Sequence, residues 1–136
     1  FRSLFFVVNR EQPNQAYFML GYPIAFLGKL YQATGEALFL ETAKNYLDYA
    51  LHCENNIRTF HFSHKVGWGA AIIANLTQDK QYFDLATDIA DYLVSIQDKS
   101  GGWLVDELPY ISFDQTAEMA LWLREISAEL GNPVSR

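Results

Sequence analysis

The chain has 136 residues; 50% of them are hydrophobic, 15% are aromatic, and the formal net charge at pH 7 is −6. This composition suits one domain with a buried core and argues against disorder. An acidic chain without a Lys/Arg-rich stripe repels phosphate backbones, so we expect no nucleic-acid partner. Polar residues interrupt the apolar ones throughout, so we expect no membrane span. The single cysteine, Cys53, allows no internal disulfide and favours a cytoplasmic location.

Helical periodicity dominates the chain from residue 14 onward. Residues 1–13 are predicted to form an N-terminal arm, extended or a short strand, and residues 132–136 a tail. Between them, residues 14–131 should form one domain, because apolar residues recur there at three- and four-residue steps. The predicted fold is all-α, with helices over residues 14–33, 37–53, 64–76, 80–97 and 115–130.

Helix-end signals refine these bounds. Pro13 suits a first helical turn, and Pro23 either starts the first helix or kinks it. Gly35 is predicted to end that helix in a left-handed cap. After a loop that begins at residue 98, Ser112 or Asp114 is expected to cap the fifth helix. The third helix is apolar nearly all round, which indicates an inner helix covered on several sides.

An internal repeat of 43 residues is the most informative pattern. The segment that starts at Thr34 matches the segment that starts at Thr77 in apolar, aromatic and charge classes, and Leu30 pairs with Ile73 in the same register. A period of this length is typical of one helix–turn–helix unit that buries its face on the next. The sequence therefore predicts tandem antiparallel helix hairpins, with the fifth helix opening a third unit.

A short motif follows the fourth helix. Gln97, Gly101 and Trp103 have the spacing Q-x-x-x-G-x-W after an aromatic and aliphatic run. This resembles the QW repeat of the terpenoid cyclase and protein prenyltransferase superfamily. The resemblance implies an α/α toroid of inner and outer helices, in which Gln97 and Trp103 would tie one helix end to the next helix start. The hairpin over residues 30–40 also resembles the α/α barrels of enzymes that cleave or epimerise sugars.

The number of hairpins in a closed toroid bears on whether this chain needs a partner. By repeat arithmetic a closed toroid needs about six hairpins, and this chain supplies about two and a half. An open array exposes apolar ends, which favours association with a second copy or with the remainder of a longer chain.

The region after the fourth helix concentrates carboxylates and aromatic rings. Carboxylates beside aromatic rings are candidates for general acids and bases, and a pair facing a sugar ring is the glycosidase arrangement. The alternative is a solvated acidic loop. The candidate catalytic residues here are Asp106, Glu107 and Asp114, and the candidate ligand-binding residues are Trp103, Tyr110 and Glu118.

The start of the third helix supplies a second candidate region. His64 is a candidate proton carrier and Trp68 a candidate ligand-binding ring, although we favour helix packing as the explanation of this segment. His52, Cys53 and His61 match no standard zinc spacing, so we expect no metal site. Phosphate-binding loops and dinucleotide-binding glycine patterns are missing from the sequence, and we expect no cofactor.

Three functions remain open on the sequence. The leading hypothesis is a domain with a cavity for a mostly apolar small molecule, similar in shape to terpenoid cyclases. The first alternative is a carbohydrate-active α/α barrel of hydrolase or epimerase type. The second is a non-catalytic helical-repeat module that binds a partner protein. Whether the domain is an enzyme stays undecided at this level.

Overall fold

The computed structural model describes residues 7–104 and 109–131. Those residues form five α-helices, two short 3-10 turns and no β-strand, which confirms the predicted all-α class. None of these helices combines the length and the apolar character that a bilayer crossing requires. The helices are α1 Phe18–Thr34, α2 Ala37–Leu51, α3 His64–Thr77, α4 Lys80–Ser95 and α5 Pro109–Gly131, with 3-10 turns at Asn55–Arg58 and His61–Ser63.

Helix α3 lies at the centre of the domain. It packs against α1, α4 and α5, while α2 covers α1. Eleven of its fourteen residues are buried, so the sequence-based prediction of an inner helix is confirmed. Contacts between α1 and α3 advance in the same direction along both helices, from Gly21 beside Lys65 to Gly28 beside Ile72, so these helices are parallel.

Glycines allow this parallel pair to approach closely. A Cβ on Gly21 would lie 2.2 Å from the carbonyl carbon of Lys65, and one on Gly69 would lie 2.7 Å from Cγ2 of Ile24. Backbone atoms at such distances cannot move aside for a methyl group, so only glycine fits at Gly21. Helix packing thus accounts for the glycines that begin α3.

The two turns of the 43-residue repeat have the same hydrogen bonds. Thr34 Oγ1 donates to the carbonyl of Leu30 at 2.8 Å, and Thr77 Oγ1 donates to the carbonyl of Ile73 at 2.7 Å. Each threonine oxygen also accepts from the backbone N–H two residues further on, at 3.2 Å in both turns. The register that the sequence predicted is therefore confirmed in atomic detail.

Three hydrogen bonds organise the segment after α4. The Gln97 amide donates to the carbonyl of Gly101 at 2.7 Å, and the Trp103 indole donates to the carbonyl of Leu93 at 2.8 Å. The Trp103 backbone N–H donates to Thr116 Oγ1 on α5 at 3.0 Å. These bonds join the end of α4 to α5 and bury Trp103.

Two predicted helix starts are wrong. Helix α1 begins at Phe18 and not near residue 14, because Asn14 adopts a positive φ of 56° and donates its backbone N–H to Asn56. Helix α5 begins at Pro109, so Ser112 and Asp114 lie inside it and not at its N-cap position. Proline fits a first helical position, and this signal outweighs the capping side chains further on.

The repeat predicts a reciprocal pair of substitutions in its turns. Gly35 has a φ of 72°, and Gln78, at the equivalent position, has a φ of 60°. A left-handed conformation costs a residue with a side chain about 1 kcal/mol. We expect Q78G to stabilise the protein by up to about 1 kcal/mol and G35Q to destabilise it by a similar amount, as measured by urea unfolding. Changes of the same sign in both variants would contradict the equivalence of the turns.

Candidate functional site

An ion pair joins the N-terminal end of α3 to the middle of α5. The Lys65 Nζ atom lies 2.6 Å from Glu118 Oε2. The Lys65 side chain is only 8% exposed, whereas that of Glu118 is 30% exposed. Taking an ammonium group out of water costs several kcal/mol unless a partner compensates it, so Lys65 requires this carboxylate.

Aromatic rings surround the Lys65 ammonium group on its other sides. Its Nζ atom lies 4.7 Å from the ring centre of Tyr22, 5.6 Å from that of Phe18 and 5.7 Å from that of Trp122. At these distances the negative faces of the rings attract a cation. The Trp122 indole also donates to Glu118 Oε2 at 2.6 Å, so this one oxygen receives both the ammonium and the indole.

The pKa values of the pair follow from these contacts. Burial alone would lower the pKa of Lys65, but its interactions with Glu118 and Tyr22 outweigh burial and raise it. Burial alone would raise the pKa of Glu118, but the hydrogen bonds from Lys65 and Trp122 and the charge of Lys65 lower it. Lys65 is therefore an ammonium and Glu118 a carboxylate at neutral pH.

His64 lies directly beside this pair. Its Nδ1 atom is 2.6 Å from the carbonyl oxygen of His61, and because a carbonyl only accepts, Nδ1 carries the proton. Its Nε2 atom is 3.3 Å from Glu118 Oε2; with the proton on Nδ1 both of these atoms are acceptors, so they form no hydrogen bond, and Nε2 has no other partner among the described residues. Burial, assisted by the charge of Lys65, lowers the pKa of His64 despite Glu118, so the ring is neutral at pH 7.

Aromatic side chains extend the cluster along the surface formed by α1, α3 and α5, which we call the aromatic face. Trp68 and Trp122 stack with ring centres 4.4 Å apart. On α1, Tyr22 is 48% exposed and Phe26, one turn later, is 64% exposed. At the other end of this face, Glu129 of α5 accepts hydrogen bonds from Lys29 of α1 and from Asn75 of α3. The pairs Lys65–Glu118, Trp68–Trp122 and Asn75–Glu129 advance together, so α5 is parallel to α3.

The structure brings together some of the sequence-predicted residues and separates others. His64, Trp68 and Glu118 meet in the cluster. Trp103 lies in the α4–α5 connection, and Tyr110 and Asp114 are exposed on the first turns of α5. Asp106 and Glu107 lie outside the described residues.

Sequence reasoning missed Lys65 and Tyr22. Lys65 could have been found from its position. Apart from His64, the other residues of α3 are mostly apolar or small, and Lys65 is the only charged side chain of this helix. A lone charge on a buried helix needs a partner on a neighbouring helix. That partner, Glu118, is distant in the chain, and the choice of partner depends on which faces of α3 and α5 meet.

Comparison with models of protein families, with curated proteins and with solved structures finds no match to this chain. The resemblance carried by Gln97, Gly101 and Trp103 therefore stays a prediction, and function is argued from the geometry alone.

Removing the carboxylate of the buried pair should cost more than removing that of an exposed pair. E118Q leaves an ammonium buried without its partner, and we expect a loss of about 3 kcal/mol in the free energy of unfolding. Lys80 and Asp84 are also 2.6 Å apart but exposed, so D84N should cost less than about 1 kcal/mol. Urea unfolding of both variants tests this; equal losses would show that burial does not govern the pair.

A double-mutant cycle separates the pair from the packing around it. K65M retains the length of the stem and leaves only a partly exposed carboxylate, so it should cost less than E118Q. In K65M/E118Q neither charge remains, and its loss should lie near that of K65M and well below the sum of the single losses. Additive losses would contradict a direct interaction.

Acid should destabilise the protein through His64. The lowered pKa means that the unfolded chain takes up a proton before the folded chain does. Stability should therefore be complete above about pH 6.5, the ordinary histidine value, and fall as the pH drops towards the folded pKa. His61, whose pKa burial also lowers, contributes in the same direction. Between pH 7.5 and 5, H64N should lose less stability in urea than the unsubstituted protein; parallel losses would contradict this assignment.

Proposed function

We propose that this chain is part of an α/α-repeat array of toroid type whose aromatic face binds a mostly apolar small molecule beside the Lys65–Glu118 pair. Three parallel helices, α1, α3 and α5, form the surface in question, and α2 and α4 pack behind them. This alternation of inner and outer helices, together with the 43-residue repeat of its turns, supports the toroid assignment.

The observation that carries the ligand assignment is the set of rings left exposed on this one face. Phe26 and Tyr22 are exposed one helical turn apart on α1, and Tyr22 contacts the same Lys65 ammonium group as Trp122 of the Trp68–Trp122 pair. A contiguous exposed aromatic patch beside a buried charged group is typical of a binding surface and unusual for a simple solvated face. A flat or branched apolar molecule lying on these rings would exclude water from them.

The end of the aromatic face that holds Glu118 and His64 is better suited to accept a proton from a ligand than to donate one. Glu118 stays ionised because its pKa is lowered, so it orients Lys65 and is a poor general acid. His64 is neutral, and its Nε2 has a free lone pair, so it is the better supported of the nominated proton carriers. Asp106, Glu107 and Asp114 remain candidates from the sequence alone.

The charge state of Glu118 also weakens the carbohydrate alternative. Glycoside cleavage requires two carboxyl groups, one of them with a raised pKa. The Lys65 cluster holds one described carboxylate, Glu118, whose pKa is lowered, and the other described carboxylate of the face, Glu129, is bonded to Lys29 and Asn75. An apolar ligand therefore fits this face better than a sugar does.

Tryptophan fluorescence offers a direct test. In a W103F background the emission comes from Trp68 and Trp122, both on the aromatic face. Titration with farnesol, an apolar alcohol, should quench this emission saturably, and a glycan array should show no binding. F26S should weaken farnesol binding about tenfold, because it removes one exposed ring from the face.

A matched variant guards against a general effect of surface polarity. Leu38 on α2 is 63% exposed, close to the 64% of Phe26, but lies on the opposite layer. L38S should therefore leave farnesol binding unchanged. Equal weakening in both variants, or glycan binding without farnesol binding, would overturn the proposal; binding of neither ligand would favour a partner-protein module.

A further inference from the structure

A separate cleft lies beside His61, where the α4–α5 connection meets α5. It is lined by His61, Ile96 at the end of α4, Trp103 and Leu104 in the connection, and Gln115 and Met119 on α5. Its volume is about 210 Å³. Trp103 and Met119 are buried and form its apolar floor, whereas Ile96 and Leu104 are exposed at its rim.

Two polar groups interrupt these apolar walls. Gln115 Oε1 is buried and has no hydrogen-bond partner among the described residues. An unpaired buried acceptor destabilises a protein, so a group that donates to it would bind favourably. His61 provides a ring whose pKa is lowered by burial, so the second polar group is neutral at pH 7. Among the described residues that line the cleft, none carries a charged side chain at pH 7.

We infer that this cleft binds a neutral molecule the size of one substituted ring, with an O–H or N–H group that donates to Gln115. An apolar cavity of about 150 Å³ accepts benzene, so about 210 Å³ accommodates a ring with one polar substituent. The ring contacts Met119, Ile96 and Trp103, and the donor replaces the missing partner of Gln115. This site does not depend on the function proposed for the aromatic face.

Phenol and fluorobenzene provide a matched pair of probes, because they are similar in size and only phenol donates a hydrogen bond. NMR titration of the whole chain should shift the methyl resonances of Met119 and Ile96 and leave the Trp122 indole unchanged. Phenol should bind about fivefold more tightly than fluorobenzene, which corresponds to one neutral hydrogen bond. In Q115L this preference should disappear while fluorobenzene still binds.

A second variant tests the location of binding without relying on Gln115. Ile96 is 40% exposed at the cleft, so I96W should fill the cleft and abolish binding of both probes. Val94 is 57% exposed and lies outside the cleft, so V94W is the control and should bind normally. Equal affinities of the two probes for the unsubstituted protein, or undiminished binding to I96W, would overturn the inference.

Discussion

The burial of α3 on several sides is the constraint on which the rest of the structure depends. Gly21 and Gly69 let the backbones of α1 and α3 come so close that a methyl group at Gly21 would overlap the backbone of Lys65. Helices α4 and α5 then cover the remaining sides. A helix enclosed in this way leaves no solvent for a charged side chain, so the one ammonium group it carries determines what its neighbours must provide.

The chemistry of the cluster follows from that enclosure. Lys65 needs a carboxylate, and Glu118 meets the need with an oxygen that also accepts from Trp122. The same enclosure desolvates His64, and the ammonium next to it further disfavours an imidazolium. Three ionisable groups in contact thus acquire fixed and different states at neutral pH, a cation, an anion and a neutral base. Burial makes each group depend on its neighbours for stabilisation, and the charge of the neighbour decides which protonation state is stabilised.

Local patterns made much of the fold predictable. The turn threonines, Thr34 and Thr77, act within four residues, so their equivalence was visible in the sequence and holds in the structure. The start of α1 was not predictable in the same way, because Asn14 is held by Asn56, far along the chain. Distant contacts limited the prediction of the candidate site as well. His64, Trp68 and Glu118 were predicted as site residues from the sequence, but the central Lys65 gains its role only from helix packing.

Helix α5 relates the two candidate sites to each other. Gln115 and Met119 lie one turn apart on the side of α5 that lines the cleft, and Glu118 and Trp122 lie one turn apart on the side that meets Lys65. In a helix these two rows are neighbours, about 60° apart around the axis. Ile126 packs on α3 near Gly67, beside the Lys65–Glu118 and Trp68–Trp122 contacts, so the packing of α5 on α3 sets the positions of both rows together. A rotation of α5 that widened the cleft would therefore also move Glu118 relative to Lys65, and the cost of unpairing that ammonium resists such a rotation.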